Sequence, residues 1–244
     1  MMGFIINEHW FYFPSINDQY LMSDPLFVIK DLCSLMIELF DFEPIYDLQI
    51  IDFMDEIDSP ICLHDCHQIL LSTSGNFFCY QNAYQLAHEL CHYMIREKSG
   101  INNNSWLEES ICELSSIYFL DCLSNLWLCS SDQDKQASYI NFHNYIYGIS
   151  QKRTSFDISD LSDKKTNAFK HMNQDKYLRD KNACIAFMLF PIFRNHCTLW
   201  KDIHLIRKYD PKNLPLLFDE WEKDAAQKNK EAIDLIRKIF IKQS

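Results

Sequence analysis

Glycine is scarce in this chain, with four residues in 244. Loops that hold nucleotide phosphates place several glycines within a few residues, and no such cluster occurs, which excludes P-loop and dinucleotide-binding motifs. Long apolar runs are also missing, because no stretch approaches the roughly 20 apolar residues that cross a bilayer. We therefore expect neither a nucleotide cofactor nor a membrane span.

Positively charged residues are also scarce, since the chain has 23 Lys and Arg residues and 34 Asp and Glu residues, which gives a net charge of −11. This charge repels nucleic-acid backbones and anionic lipid surfaces, so neither is an expected partner. Residues 1–15 lack a basic region followed by a clean apolar stretch and a cleavage site, so no secretory signal is predicted. The ten cysteines are then interpreted as mostly reduced, buried residues of a cytoplasmic protein.

The apolar share of 48% fits a packed globular chain. Residues 48–54 and 61–73 have strand-like patterns with a turn signal at 58–60, which predicts a hairpin or two neighbouring strands. The aromatic run at 10–13 predicts buried packing. Helical periodicity covers most of the remainder, with breaks at 74–76 and 102–104. The predicted helices span 25–40, 80–98, 106–129, 136–151, 178–195, 199–209 and 214–241, the last interrupted once.

The order of these elements is a few strands followed by helices only, which indicates an α+β fold with a small N-terminal sheet. We expect a single domain over residues 1–244, a length that can bury a sizeable core. The polar segment 152–176 predicts a long loop and a candidate sub-boundary before a helical subdomain at 177–244.

A motif with chemical potential lies in the middle of the helix predicted over 80–98, where residues 88–92 have the sequence HELCH. His88 and His92 lie one helical turn apart on the same face, so both imidazoles can bind one metal ion. Glu89 lies beside them, where its carboxylate can accept a proton from water. Cys91 is one residue off that face and is interpreted as a core residue.

Catalytic zinc commonly has three protein ligands, so a third ligand must come from another element. The next predicted helix begins past a loop long enough to reverse direction and contains Glu108, Glu109 and Glu113. Ser105 and Glu108 form a capping-box pattern, which gives Glu108 a local role at the Ser105 backbone. Glu113 lies one turn after Glu109, where a carboxylate that orients a ligand imidazole would lie. Glu109 is then the predicted third ligand.

These segments resemble the gluzincin metallopeptidases, in which a HExxH helix is followed by a helix with a glutamate ligand. The segment WLEES at 106–110 is similar to the WLNEG motif of many gluzincins, with Glu109 as the matching glutamate. Glu108 and Ser110 stand where Asn and Gly are usual. The small size and residues 88–93 also resemble the ImmA/IrrE-type cytosolic proteases. The resemblance covers about a quarter of the chain.

The resemblance implies a zincin-like fold, a zinc ion held by His88, His92 and Glu109, and peptide-bond hydrolysis with Glu89 as general base. It also implies that residues 68–73 form the edge strand along which an extended substrate binds. Because no GxMEN-like segment precedes the motif, the resemblance favours an endopeptidase over an aminopeptidase.

Gluzincins usually add a Tyr or His from the C-terminal half to stabilise the oxyanion. Tyr177 is preferred here because it precedes the apolar helix predicted around 183–193, and the alternatives are His171, His196 and Tyr145.

Cys62, His64, Cys66 and His67 form a second group of metal-binding residue types, but their spacing matches no common structural zinc motif, so packing is the interpretation. The leading functional hypothesis is a zinc endopeptidase of restricted specificity that acts on a protein or peptide substrate. A segment of the chain itself could keep it inactive. One alternative is a zincin-fold binding or regulatory protein that retains the metal, and another is a helical interaction protein without metal.

Overall fold

A computed structural model describes residues 3–14, 23–53, 56–73, 79–101 and 105–241. Over these ranges the prediction of an α+β fold is confirmed, with a small mixed sheet near the N-terminus followed by helices. The breaks predicted at 74–76 and 102–104 lie outside the described residues. No helix of the described part of the chain is long and apolar enough to cross a membrane.

Five described strands form one sheet in the order β1-β2-β3-β5-β4. The two middle pairings, β2 with β3 and β3 with β5, are parallel, whereas β1 and β4 join the sheet in antiparallel orientation. Apolar side chains such as Trp10, Leu48 and Ile69 are fully buried and form the core beside the sheet. The strands are β1 (Phe4–Ile5), β2 (Trp10–Phe13), β3 (Leu48–Asp52), β4 (Ile61–Leu63) and β5 (Gln68–Leu71).

The strand pairing corrects two sequence-based predictions. Segment 61–73 is two strands and not one, because a short 3-10 turn at His64–Cys66 and the left-handed residue His67, with φ 48°, reverse the chain. The hairpin therefore joins β4 to β5, while β3 pairs with β5 in parallel. Because β5 lies between β3 and β4, the expectation that 68–73 is an edge strand was wrong, and β4 occupies that edge.

The predicted helices are present within a few residues of their expected bounds, although 199–209 is part α-helix and part 3-10 helix. Gly100 follows the end of the second helix, where its φ of 65° suits a residue without a side chain, and its N–H donates to the Arg96 carbonyl at 2.9 Å. The helices are α1 (Ser23–Phe40), α2 (Cys79–Ser99), α3 (Trp106–Leu128), α4 (Gln133–Lys152), α5 (Asn167–Gln174), α6 (Arg179–Asn195), α7 (Leu199–Asp202), α8 (Leu214–Asp224) and α9 (Lys230–Phe240).

The long loop predicted over 152–176 was wrong, because this segment contains a 3-10 helix at Ile158–Ser162 and α5. The Thr166 hydroxyl caps α5 by accepting a hydrogen bond from the Phe169 N–H at 3.1 Å. Phe169 and Met172 are buried on one side of α5. Two apolar residues at helical spacing therefore outweigh the polar composition of the segment.

Contacts divide the chain into two compact units. One comprises Met1–Tyr93 and Phe119–Tyr147, and contains the sheet, α1 and most of α4. The other comprises Met94–Tyr118 and Gly148–Ser244, and contains α5 to α9. Helices α2 and α3 each contribute residues to both units.

None of the ten cysteines, all of which lie in the described ranges, forms a disulfide bond. The sequence analysis expected most of the cysteines to be buried, and five of the ten are buried. Burial raises the pKa of the Cys33 thiol well above its ordinary value, which keeps that thiol protonated. The buried cysteines are Cys33, Cys79, Cys91, Cys112 and Cys184.

Candidate metal centre

Two polar anchors fix helix α2 against the carboxyl ends of β3 and β5. The side chain of Gln85 accepts a hydrogen bond from the Ser72 N–H at 2.8 Å and donates one to the Ser72 carbonyl at 2.6 Å. The Gln85 side chain therefore pairs both the N–H and the carbonyl of the residue just after β5, as a neighbouring strand would. Because Gln85 lies one turn before the HELCH segment, this anchor sets the rotation of the helix that bears the histidines.

The second anchor is a buried network around Asp52, the last residue of β3. Asp52 accepts hydrogen bonds from the Thr73 hydroxyl at 2.8 and 2.9 Å and from the Asn82 amide at 3.0 Å. Asp52, Thr73 and Asn82 are each at most 1% exposed. Buried polar groups are stable where they are hydrogen-bonded to one another, so this network ties β3, β5 and α2 together.

The face of α2 that carries the histidines is the accessible face of an otherwise buried helix. From Tyr80 to His92 the half-buried residues recur at one-turn spacing, and nearly all others are buried. Cys91 is 0% exposed, so its interpretation as a core residue is confirmed. The half-buried residues of this stretch are Tyr80, Gln81, Tyr84, His88 and His92.

His88, His92 and Glu109 form one of two groups of side chains in the described ranges that could hold a metal ion. One side-chain nitrogen of each histidine and one carboxylate oxygen of Glu109 all lie within 4.8 Å of one another, so the three side chains could hold a metal ion. The two imidazole rings lie 5.1 Å apart between centroids. Glu109 is 5% exposed, and every residue of α3 from 106 to 120 is buried.

A second possible ligand group overlaps the first. His92, Glu108 and Cys112 also have ligand atoms within 4.8 Å of one another. The Glu108 carboxylate, however, is bound by Arg207, whose Nε donates to Oε2 at 2.6 Å and whose Nη2 donates to Oε1. A metal ion that used Glu108 would have to share this carboxylate with a guanidinium, which favours the group with Glu109.

The ion pair also corrects the capping-box interpretation of Glu108. The first half of the box is present, because the Ser105 hydroxyl accepts a hydrogen bond from the Glu108 N–H at 3.4 Å. The Glu108 side chain, in contrast, points to Arg207 and is 0% exposed. Arg207 lies 99 residues away in the chain, and no local sequence pattern could have identified it.

Glu89 and Glu113 are both 7% exposed. The carboxylate of Glu89 makes no hydrogen bond or ion pair with any residue in the described ranges. The expected contact between Glu113 and a ligand imidazole stays a prediction.

Tyr177, the predicted oxyanion donor, is 62% exposed and its ring contacts the Lys176 ammonium at 4.9 Å. Its backbone is held near the start of α3, because the Asn182 amide donates to the Lys176 carbonyl at 2.8 Å and accepts from the Ser110 hydroxyl at 2.9 Å. Tyr177 and Trp106 also line one pocket of about 340 Å³.

Tyr145, one of the alternatives to Tyr177, lies against the accessible face of α2. Its ring is 5.1 Å from that of Tyr80 and 5.4 Å from that of Tyr84, between centroids. Tyr84 is one helical turn before His88 on the same face. Among the four candidates, His171 is exposed on α5 and His196 follows the end of α6.

Within the second group of metal-binding residue types, His67 packs against neighbouring rings, whereas Cys66 is exposed. His67 Nδ1 hydrogen-bonds the Tyr93 hydroxyl at 3.0 Å, and its ring stacks on Tyr46 with centroids 4.7 Å apart. Within the described ranges, neither ligand group includes Cys62, His64, Cys66 or His67.

The chain was compared with protein-family models, with curated proteins and with solved structures, and none of the three comparisons found a match.

Proposed function

We propose that this chain is a zinc-dependent metallopeptidase, an endopeptidase of restricted specificity. The observation that carries the proposal is the convergence of His88, His92 and Glu109, with Glu89 adjacent to the first histidine. Two imidazoles and one carboxylate form a donor set that suits catalytic zinc, which keeps a further position open for water or substrate.

The charges of the site support a cation. The Glu89 carboxylate is 7% exposed and makes no hydrogen bond or ion pair with any described residue, and a buried carboxylate needs positive charge or hydrogen-bond donors. Zinc, when bound, would polarise the scissile carbonyl and lower the pKa of a water molecule.

Glu89 is the proposed general base. Its carboxylate is not occupied by another described side chain, so it is available to accept the proton of the attacking water and then to donate it to the leaving nitrogen. A neighbouring phenol would stabilise the negative charge that develops on the carbonyl oxygen. We propose Tyr145 for this role ahead of Tyr177, because Tyr145 packs on the face of α2 that bears the histidines.

The substrate is a protein or peptide, and ten cysteines without a disulfide bond between them suit a reducing compartment such as the cytoplasm. The alternative is a binding or regulatory protein that retains the metal without turnover, and hydrolysis distinguishes the two.

The experiment replaces Glu89 by Gln and measures zinc content and the cleavage of an unfolded protein. Because Glu89 is not a ligand, the variant should keep its zinc and lose hydrolysis by about 10²–10⁴-fold. Glu97→Gln, on the same helix, is the matched control and should leave both properties unchanged. Loss of zinc from Glu89→Gln would refute the role of base, and zinc-loaded wild type without any cleavage would favour the binding protein.

A further inference from the structure

Arg207 forms hydrogen bonds with residues on both sides of the loop between α2 and α3. Its Nη1 donates to the carbonyl of Ile101, just after α2, at 2.6 Å, while its Nε and Nη2 bind both oxygens of Glu108 in the first turn of α3. Arg207 is 8% exposed and Glu108 is 0% exposed, so the pair is removed from solvent.

Such a buried pair is not explained by stability alone. Removing two charges from water is costly, and apolar residues of similar size often stabilise a protein as well or better. The pair does have a directional effect, because consecutive residues of an α-helix point about 100° apart. With Glu108 held toward Arg207, Glu109 is directed elsewhere, and the structure has it beside His88 and His92.

The two possible ligand groups share His92 and differ in their acidic ligand. One uses His88 and Glu109, and the other uses Glu108 and the buried thiol of Cys112. We propose that Arg207 is a positioning residue that selects between these groups: by binding Glu108, it keeps a metal ion on His88, His92 and Glu109. The inference rests on the proposed metal site and adds a role for the segment Ile203–Lys208, which contains Arg207.

Loss of Arg207 has a chemical consequence that a structural role alone does not have. The freed Glu108 carboxylate becomes a ligand, and Cys112 can bind the metal as a thiolate after its proton passes to solvent. A thiolate ligand is recognisable in the cobalt(II)-substituted protein, since it adds a near-ultraviolet charge-transfer band that nitrogen and oxygen ligands lack.

The test is to titrate the full chain with cobalt(II) and record absorption spectra. Wild type should bind one cobalt ion without a thiolate band, and Arg207→Met should show that band. The double variant Arg207→Met with Cys112→Ser should lose it again. Arg237→Met, which removes an arginine that pairs with Glu222 at 2.8 Å in the same unit, is the control and should give the wild-type spectrum.

Arg207→Lys keeps a charge but not the forked geometry, and it provides a second variant if Arg207→Met does not fold. A thiolate band in Arg207→Lys, removed by Cys112→Ser, would also support the inference. Wild-type spectra in every folded Arg207 variant would overturn it while leaving the proposed function intact. A thiolate band in wild type would overturn it as well, and wild type that binds no cobalt would overturn the proposed metal site itself.

Discussion

The anchor between Gln85 and Ser72 can be tested by replacing Gln85 with Met, which has a similar length but cannot form either hydrogen bond. Two bonds of 2.8 and 2.6 Å are lost, and the Ser72 N–H and carbonyl lose their partner. Each hydrogen bond makes a net contribution of about 0.5–1.5 kcal/mol to stability. Because Ser72 is only half-buried, hydrogen bonds with water can replace part of the loss. We expect a destabilisation of about 1–3 kcal/mol.

The assay is unfolding in urea, followed by circular dichroism in the presence of a metal chelator so that metal binding does not contribute. Gln68→Met is the matched control, because within the described residues the Gln68 side chain is hydrogen-bonded only to the exposed side chain of Gln49, at 2.9 Å. It should change stability by less than about 0.5 kcal/mol. Melting temperature should fall by about 2–4 °C for each kcal/mol in a chain of this length. If Gln85→Met is as stable as Gln68→Met, the anchor does not hold α2 as described.

Three further outcomes are expected. Tyr145→Phe should lower the rate of hydrolysis by about 10²–10³-fold with little effect from Tyr177→Phe, and the opposite ranking would return the oxyanion role to Tyr177. Burial, and then the charge of Lys98, lower the pKa of His204, so the unfolded chain binds a proton at this histidine more readily than the folded chain does. The free energy of unfolding should therefore fall as the pH falls through about 6.5. His204→Gln should reduce this fall in melting curves, and an unchanged dependence of melting temperature on pH would contradict the assignment. Glu108→Ala should cost about 3–5 kcal/mol in urea unfolding because it leaves Arg207 buried without its counter-charge, and a cost near 1 kcal/mol would instead favour the capping role.

Local patterns predicted the parts of the fold that depend on neighbouring residues. The spacing of Ala83, Leu86 and Leu90 is enough to define α2, and all three are fully buried. Strand pairing was predicted poorly, because the parallel contact of β3 with β5 passes over β4 and is decided by the whole sheet. The N-terminal strands β1 and β2 were not predicted, since the aromatic run of β2 does not alternate between apolar and polar residues.

Local patterns also predicted only part of the candidate metal centre. His88, Glu89 and His92 are recognisable because a helix of known period relates them. Glu108 was set aside for an incorrect reason, since its carboxylate binds Arg207 and does not complete a capping box. Contacts such as Arg207 with Glu108 and Asn182 with Ser110 join residues far apart in the chain, and no local spacing rule describes them.

The most direct test of the proposed zinc site is the metal content of the purified chain and of its Glu109→Ala variant, measured by elemental analysis after dialysis. We expect one zinc ion per wild-type chain, loss of tight binding in Glu109→Ala, His88→Ala and His92→Ala, and weakening by about 10–100-fold in Glu113→Ala. Wild type without zinc, or a Glu109→Ala variant that keeps one tightly bound zinc ion, would contradict the proposed site.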